Sequence, residues 1–220
     1  MKLSLNYPVT TFKLNQEFGV YRPEVYSQFG FNRHNGIDIA LGSDSMIYAP
    51  LNGQIIRTGN QPNGGGVFFG FLSDKTFTFD DGVMAQVLID FLHLDHIIGK
   101  VTVAYKTGDL LAKADNTGFS TGPHTHMQFR RVRYDGKVVT TIDVNDANNS
   151  FDPKTYWNGT YPNSSVYSSP EPISALPVHF INFQKALDEF QKAEGLKPYP
   201  LVGPGTRKAL NKYLTNEKYN

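Results

Sequence analysis

Residues 67–93 read VFFGFLSDKTFTFDDGVMAQVLIDFLH. Two runs rich in Phe, Val, Leu and Ile, 67–79 and 83–93, flank Asp80-Asp81-Gly82, and an Asp-Gly pair between such runs is the turn chemistry of a β-hairpin. His93 closes the second arm. The same texture extends over residues 1–157, where short apolar or alternating runs are broken by Gly, Asn and Asp and helical periodicity is scarce. Ile37 and Ile39 alternate with Asp38 and Ala40, and Gly53-Gln54-Ile55-Ile56 begins another strand-like run. The fold class this predicts is mainly β, an antiparallel sheet over residues 1–157.

The texture changes after that. Residues 158–177 (NGTYPNSSVYSSPEPISALP) are rich in Ser, Pro and Asn without periodicity and read as a linker. Over 178–220, Phe180, Phe183, Leu187 and Phe190 follow helical spacing on one face, with Lys185, Asp188, Glu189 and Lys192 mostly on the other. Gly195 suits a C-cap, and Thr206 an N-cap for a second short helix through Ala209, Leu210, Tyr213 and Leu214. This predicts a small C-terminal α-helical module, close to the size below which a domain needs a partner surface.

Composition narrows the chemistry. With 16 Phe and 12 Tyr in 220 residues, aromatic side chains fill much of the interior. Lys and Arg total 21 against 20 Asp and Glu, a net charge of +1 that provides no global field for nucleic acid. The absence of cysteine excludes disulfides, thiolate ligands and thiol catalysis, so His, Asp and Glu are the strong metal donors available. The Gly-x-Ser-x-Gly at residues 118–122 lies in a Gly- and Pro-containing loop ahead of a strand, not in the strand-to-helix setting of a serine hydrolase elbow. The N-terminus has no apolar signal core, and no stretch approaches the roughly 18 apolar residues of a membrane span. The expectation is a chain that carries no secretion signal and does not insert in a membrane.

Three islands contain most of the six histidines. In Arg33-His34-Asn35-Gly36-Ile37-Asp38, a straight strand would hold the Cα atoms of His34 and Asp38 roughly 13 Å apart, so a shared ion requires a bend at Asn35-Gly36. Taken alone, the pair is more often a surface histidine beside a turn aspartate. In Asn116-Thr117-Gly118-Phe119-Ser120-Thr121-Gly122-Pro123-His124-Thr125-His126, a strand projects His124 and His126 from one face, and the loop before it suits the wall of a cleft or simply a turn. In Phe91-Leu92-His93-Leu94-Asp95-His96, the apolar setting of His93 alone reads as packing.

Taken in order, these islands resemble the lysostaphin-type (LytM-like) zinc peptidoglycan endopeptidases. The resemblance runs from Gln16-Glu17-Phe18-Gly19 through His34 to Asp38, Ala49-Pro50 with Gly53, Gly64-Gly65-Gly66-Val67, His93-Leu94, Gly108-Asp109 and Asn116 to His126, with Phe151-Asp152-Pro153 resembling the domain's end. It implies Zn2+ held by His34, Asp38 and His126, His93 and His124 as the catalytic pair, and hydrolysis of stem or cross-bridge peptides in bacterial peptidoglycan. Thr125 and Gln128 depart from the residues usual in that family, and the stretch from Val67 to Asp90 is unusually long and Phe-rich.

The C-terminal module resembles half of a helical peptidoglycan-binding domain, carried by Phe190 to Leu196 and Val202 to Leu210, with Pro198-Tyr199-Pro200 in place of the usual Asp-Gly turn. A peptidase followed by such a module implies a phage endolysin, monomeric, that accumulates in the host cytoplasm and then acts on the cell wall. A phage-tail lysin, an autolysin, and a non-catalytic wall-binding adaptor on the same fold are the competing readings.

Overall fold

A computed structural model describes residues 1–10, 13–41, 45–143, 145, 147–158, 190, 192 and 193. In chain order its strands are β1 (Lys13–Gln16), β2 (Ile37–Ala40), β3 (Met46–Tyr48), β4 (Gly53–Gln61), β5 (Gly66–Ser73), β6 (Phe77–Thr78), β7 (Met84–Ile97), β8 (Ala104–Tyr105), β9 (Leu110–Ala114), β10 (His124–Tyr134) and β11 (Val139–Thr141). A single-turn helix α1 (Pro23–Tyr26) runs into a 3-10 turn (Ser27–Phe29). The strands pair antiparallel in the order β1-β2-β10-β7-β5-β4-β8, with β11 on β10, β6 and β9 on β7, and β3 on β9. The mainly β, antiparallel class read from the sequence is the class observed. Among the described residues no helix is long and apolar enough to cross a membrane.

The hairpin at 67–93 forms with two differences. Its turn closes through Gly82 N–H to the Phe79 carbonyl at 2.9 Å, with Gly82 at φ +81. Its first arm divides into β5 and β6 because Ser73 captures the intervening bonds: its Oγ accepts from Val87 N–H at 3.0 Å and donates to the Lys75 carbonyl at 2.8 Å. The second arm does not end at His93. It continues to Ile97, and His93 is an extra residue within it at φ +64. Phe91 pairs with Phe69 and Leu94 with Val67, so two residues of β7 oppose Phe68 alone. That bulge decides where His93 points.

Alternation sorts the sheet into two faces. Ile37 and Ile39 of β2, Val87, Ile89 and Phe91 of β7, and Met127 and Phe129 of β10 are buried in one aromatic-rich core with Phe69 and Phe71 of β5. The opposite face carries Asp38, Asp90, Leu92, His124, His126 and Gln128, since these alternate with the core residues on the same strands. The N-terminal segment seals the core. Leu5 is fully buried and donates to the Tyr156 carbonyl, while Asn158 donates back to the Leu5 carbonyl, both at 2.7 Å. Apart from Asn158, Phe190, Lys192 and Ala193, the linker expected at 158–177 and the helical module expected at 178–220 lie outside the described residues.

Phe69 and Phe91 stack at 4.7 Å between ring centroids at the centre of the core. Each Phe→Ala change should cost about 3–5 kcal/mol. In a double-mutant cycle read by urea unfolding, the pair should show a coupling of about 0.5–1.5 kcal/mol, and simple additivity would show that the two rings pack independently.

Candidate metal centre and cleft

Asp38 on β2 stands directly opposite His126 on β10, and both project from the sheet face away from the core. His34 arrives from the segment before β2, turned inward at Gly36 as the sequence required. Glycine is needed there for room: a Cβ would stand 2.2 Å from the Met127 carbonyl oxygen and 2.7 Å from His126 Nε2. The three side chains meet. His126 Nδ1 lies 2.9 Å and His34 Nε2 3.2 Å from Asp38 Oδ1, and the two ring nitrogens are 3.0 Å apart.

The donor set fits a metal ion. The Glu17 carbonyl, which can only accept, lies 2.8 Å from His34 Nδ1, so that nitrogen carries the proton and Nε2 turns its lone pair toward Asp38. Acceptors of this kind converging on one point repel one another until a cation or a proton stands between them. Ligands about 2.0–2.2 Å from a tetrahedral centre are about 3.3–3.6 Å from each other, slightly wider than the separations seen here. His34, Asp38 and His126 thus form a metal-binding cluster of two imidazoles and a carboxylate.

His93 and His124 stand beside it. Their rings are 4.8 Å apart, and His124 Nε2 is 3.6 Å from Asp38 Oδ1. Each has Nδ1 bound to a backbone carbonyl at 2.8 Å, Thr117 for His93 and Gly122 for His124, which leaves Nε2 as the functional nitrogen of both. Without the bulge, His93 would follow Phe91 into the core; its left-handed backbone turns it to the cleft and returns Leu94 to the interior.

The loop holding Thr117 packs on the glycine turn before β5. Phe119 N–H donates to the Gly64 carbonyl at 2.7 Å and His93 N–H to the Gly65 carbonyl at 2.8 Å. A Cβ on Gly118 would stand 2.2 Å from the Gly66 nitrogen, so these backbones touch because neither residue has a side chain.

The five residues singled out from the sequence, His34, Asp38, His93, His124 and His126, all line one cleft of about 390 Å3. His96 lies outside it, exposed and paired with Asp95 at 3.1 Å. Sequence reasoning missed Tyr26, which stacks on His34 with ring centroids 5.7 Å apart and receives a hydrogen bond from Gln16. It also missed Phe29, whose ring meets Phe119 edge-on at 5.4 Å from the opposite wall. No periodic signal marks a one-turn helix, so nothing before the fold placed these rings at the site. Of the two family departures, Thr125 is fully buried with its hydroxyl donating to the Leu92 carbonyl at 3.3 Å, and Gln128 donates to Ser150 Oγ at 2.8 Å.

The electrostatics follow from burial. Burial works to raise the Asp38 carboxyl, but the imidazoles of His34, His124 and His126 gathered round it hold it well below the ordinary carboxylate range. Burial, reinforced by His124 and His126, pushes His93 down to about 3; burial also lowers His126, against the opposing pull of Asp38.

Residues 32–141 match Peptidase family M23, and the chain belongs to that family of metallopeptidases. It is 30% identical over 95 residues to the glycyl-glycine endopeptidase ALE-1 of Staphylococcus capitis, covering 43% of this chain and 24% of that protein. It is 26% identical over 111 residues to an uncharacterized metalloprotease of Haemophilus influenzae, covering 50% of this chain and 21% of that one. The chain therefore spans less than a third of the length of these relatives. The crystallized catalytic domain of the antimicrobial peptidase lysostaphin from Staphylococcus simulans is 23% identical, with 66% of this chain and 91% of that one covered at a TM-score of 0.48.

The depressed histidines make acid stability a direct readout of the site. The unfolded chain takes up protons on His93 and His126 near pH 6.5, whereas in the folded metal-free protein His93 does so only near 3. Between those values the unfolded state binds more protons, so the stability is complete above about pH 6.5 and is lost as the pH falls. The unfolding free energy of chelator-treated protein, read by urea titration, should fall across this window, by up to about 1.4 kcal/mol per pH unit for each group. His93→Gln should flatten the slope, and an unchanged slope would show that His93 is protonated in the fold.

Proposed function

We propose that the chain is a zinc-dependent endopeptidase that hydrolyses peptide bonds in the stem or cross-bridge of bacterial peptidoglycan. The observation that carries this reading is the meeting of His34 Nε2, Asp38 Oδ1 and His126 Nδ1 beside the His93–His124 pair, in a chain of Peptidase family M23. Two imidazoles and one carboxylate, with no thiolate, make the donor set of a catalytic rather than a structural zinc site. The likeness to a glycyl-glycine endopeptidase supports a cell-wall peptide as substrate.

His34 through Nε2, Asp38 through Oδ1 and His126 through Nδ1 would hold the ion. Bound there, zinc supplies a Lewis acid for the scissile carbonyl and lowers the pKa of water to about 7. The proton transfers fall to His93 and His124, since no carboxylate other than Asp38 stands among the described residues of the cleft. With Nδ1 committed to a carbonyl, each accepts a proton at Nε2, and the imidazolium formed donates from the same atom to an oxyanion or a leaving amine. His93 stays neutral at the working pH, as an acceptor must.

The same proposal extends to the setting. An M23 domain joined to a segment that resembles a wall-binding module over 178–214 suits a phage endolysin, monomeric, released from the host cytoplasm to the cell wall.

Purified full-length protein should contain one zinc per chain. His93→Ala and His124→Ala should keep it and lose about 10²–10⁴-fold in turnover, whereas Asp38→Ala and His126→Ala should lose the metal as well. Mass spectrometry of fragments released from cell walls of known cross-link type reads the bond cut; a fully active His93→Ala enzyme would refute the assignment.

Truncation after Asn158 tests the module. Hydrolysis of small soluble peptides should persist while attachment to whole sacculi falls, because tethering raises only the local substrate concentration. Equal activity on sacculi before and after truncation would remove the wall-targeting role.

A further inference from the structure

One row along the sheet from the metal centre, Arg57 of β4, Gly70 of β5 and Asp90 of β7 lie side by side in register, and Gln128 of the cleft continues the row on β10. Asp90 is buried. It receives Arg57 Nη2 at 2.7 and 2.8 Å on its two oxygens, Arg57 Nε at 3.2 Å, and a further bond from Arg130 Nη2.

The backbone is shaped to bring Arg57 there. Ile55 points into the core, and strict alternation would send Arg57 after it. A bulge between Ile55 and Arg57 reverses that, placing the guanidinium on the sheet face that carries the metal centre, beyond the residues that line the cleft. Gly70 clears its path, since a Cβ there would stand 2.8 Å from Arg57 Nε and 2.9 Å from Asp90 Oδ1.

One arginine suffices to neutralise Asp90; two leave an excess positive charge on a partly dry surface. The side chain of Arg57 is 44% exposed while that of Asp90 is 5% exposed, so the positive side of the cluster is the one that faces out. Arg130 Nε is buried without a hydrogen-bond partner. Burial and the neighbouring Arg57 charge push the Arg130 guanidinium down to about 10. With Nε and Nη2 of Arg57 given to Asp90, its Nη1 is left to meet an incoming carboxylate.

We propose that Arg57 and Arg130, pinned by Asp90, form a subsite that receives a free carboxylate of the bound peptide. Asp90 stands opposite Gln128, two residues along β10 from His126, and Arg57 starts two strands beyond Asp90, so the subsite lies about 7 Å along the strands and about 5–15 Å across them from the metal centre. An extended substrate crossing that span places there a group about three to four residues from the scissile bond. The proposal rests on the peptidase reading for its substrate and on this cluster for its specificity: the enzyme selects peptides with an acidic group at that distance over the amidated form.

The test uses metal-loaded, full-length protein and two synthetic peptides that differ only in a carboxylate or a primary carboxamide at that distance. The wild type should favour the acid roughly tenfold in kcat/KM, the scale of one charge-assisted hydrogen bond, with the difference in KM. Arg57→Gln should bring the ratio near one, Arg57→Lys should restore part of it, and added salt should shrink it. Binding of both peptides to His93→Ala protein, measured by calorimetry, reads the same preference without turnover. An acid preference in binding with no hydrolysis by the wild type overturns the peptidase reading and keeps the subsite. Equal binding of acid and amide, or a preference that survives Arg57→Gln, overturns the subsite whatever the turnover.

Discussion

The pairing of Asp38 with His126 across β2 and β10 is the constraint on which the rest of the site depends. Strand register is quantised in single residues, and a slip of one would send Asp38 into the core and lift Ile37 or Ile39 onto the cleft face. The apolar burial of Ile37, Ile39, Met127 and Phe129 therefore aligns the ligands: the same alternation that fills the interior sets a carboxylate opposite an imidazole. His34 completes the cluster from outside the ladder and needs its own support, the Glu17 carbonyl on one side and the room left by Gly36 on the other.

Regular alternation alone could not supply the remaining chemistry, because the sheet's period of two assigns every residue to one face. Bulges break that rule locally. On β7, the extra residue turns His93 out of the interior; on β4, the irregularity after Ile55 does the same for Arg57. The cost at His93, a left-handed backbone on a residue with a side chain, is borne by Thr117, Gly65 and the core beneath Leu94.

Much of this was legible in the chain. The Asp-Gly turn, the β2 alternation and the His-x-His pair state their local geometry in their spacing, and the family resemblance ordered them into one site. The bend at Gly36 followed from the distance two ligands must span. What was not legible was non-local: the arm of the hairpin breaks because Ser73 reaches Val87, and His93 leaves the core because Val67 and Phe69 set the register opposite it. Tyr26 and Phe29 sit in a turn too short to show a period, and their place beside His34 and Phe119 depends on how that segment folds back.

The ligands' separation along the chain has a kinetic consequence. Asp38 and His126 are 88 residues apart and His34 and His126 are 92, among the longest closures in the described fold. Such contacts carry a large loop entropy, which favours docking of β2 on β10 after the local hairpins around β7 have formed. An ion that needs both strands finds no site in the transition state for folding. Its binding energy then falls almost wholly on the exit side of the barrier: it lengthens the lifetime of the native protein without hastening its formation. Persistence after folding is then the quantity a bound metal would set.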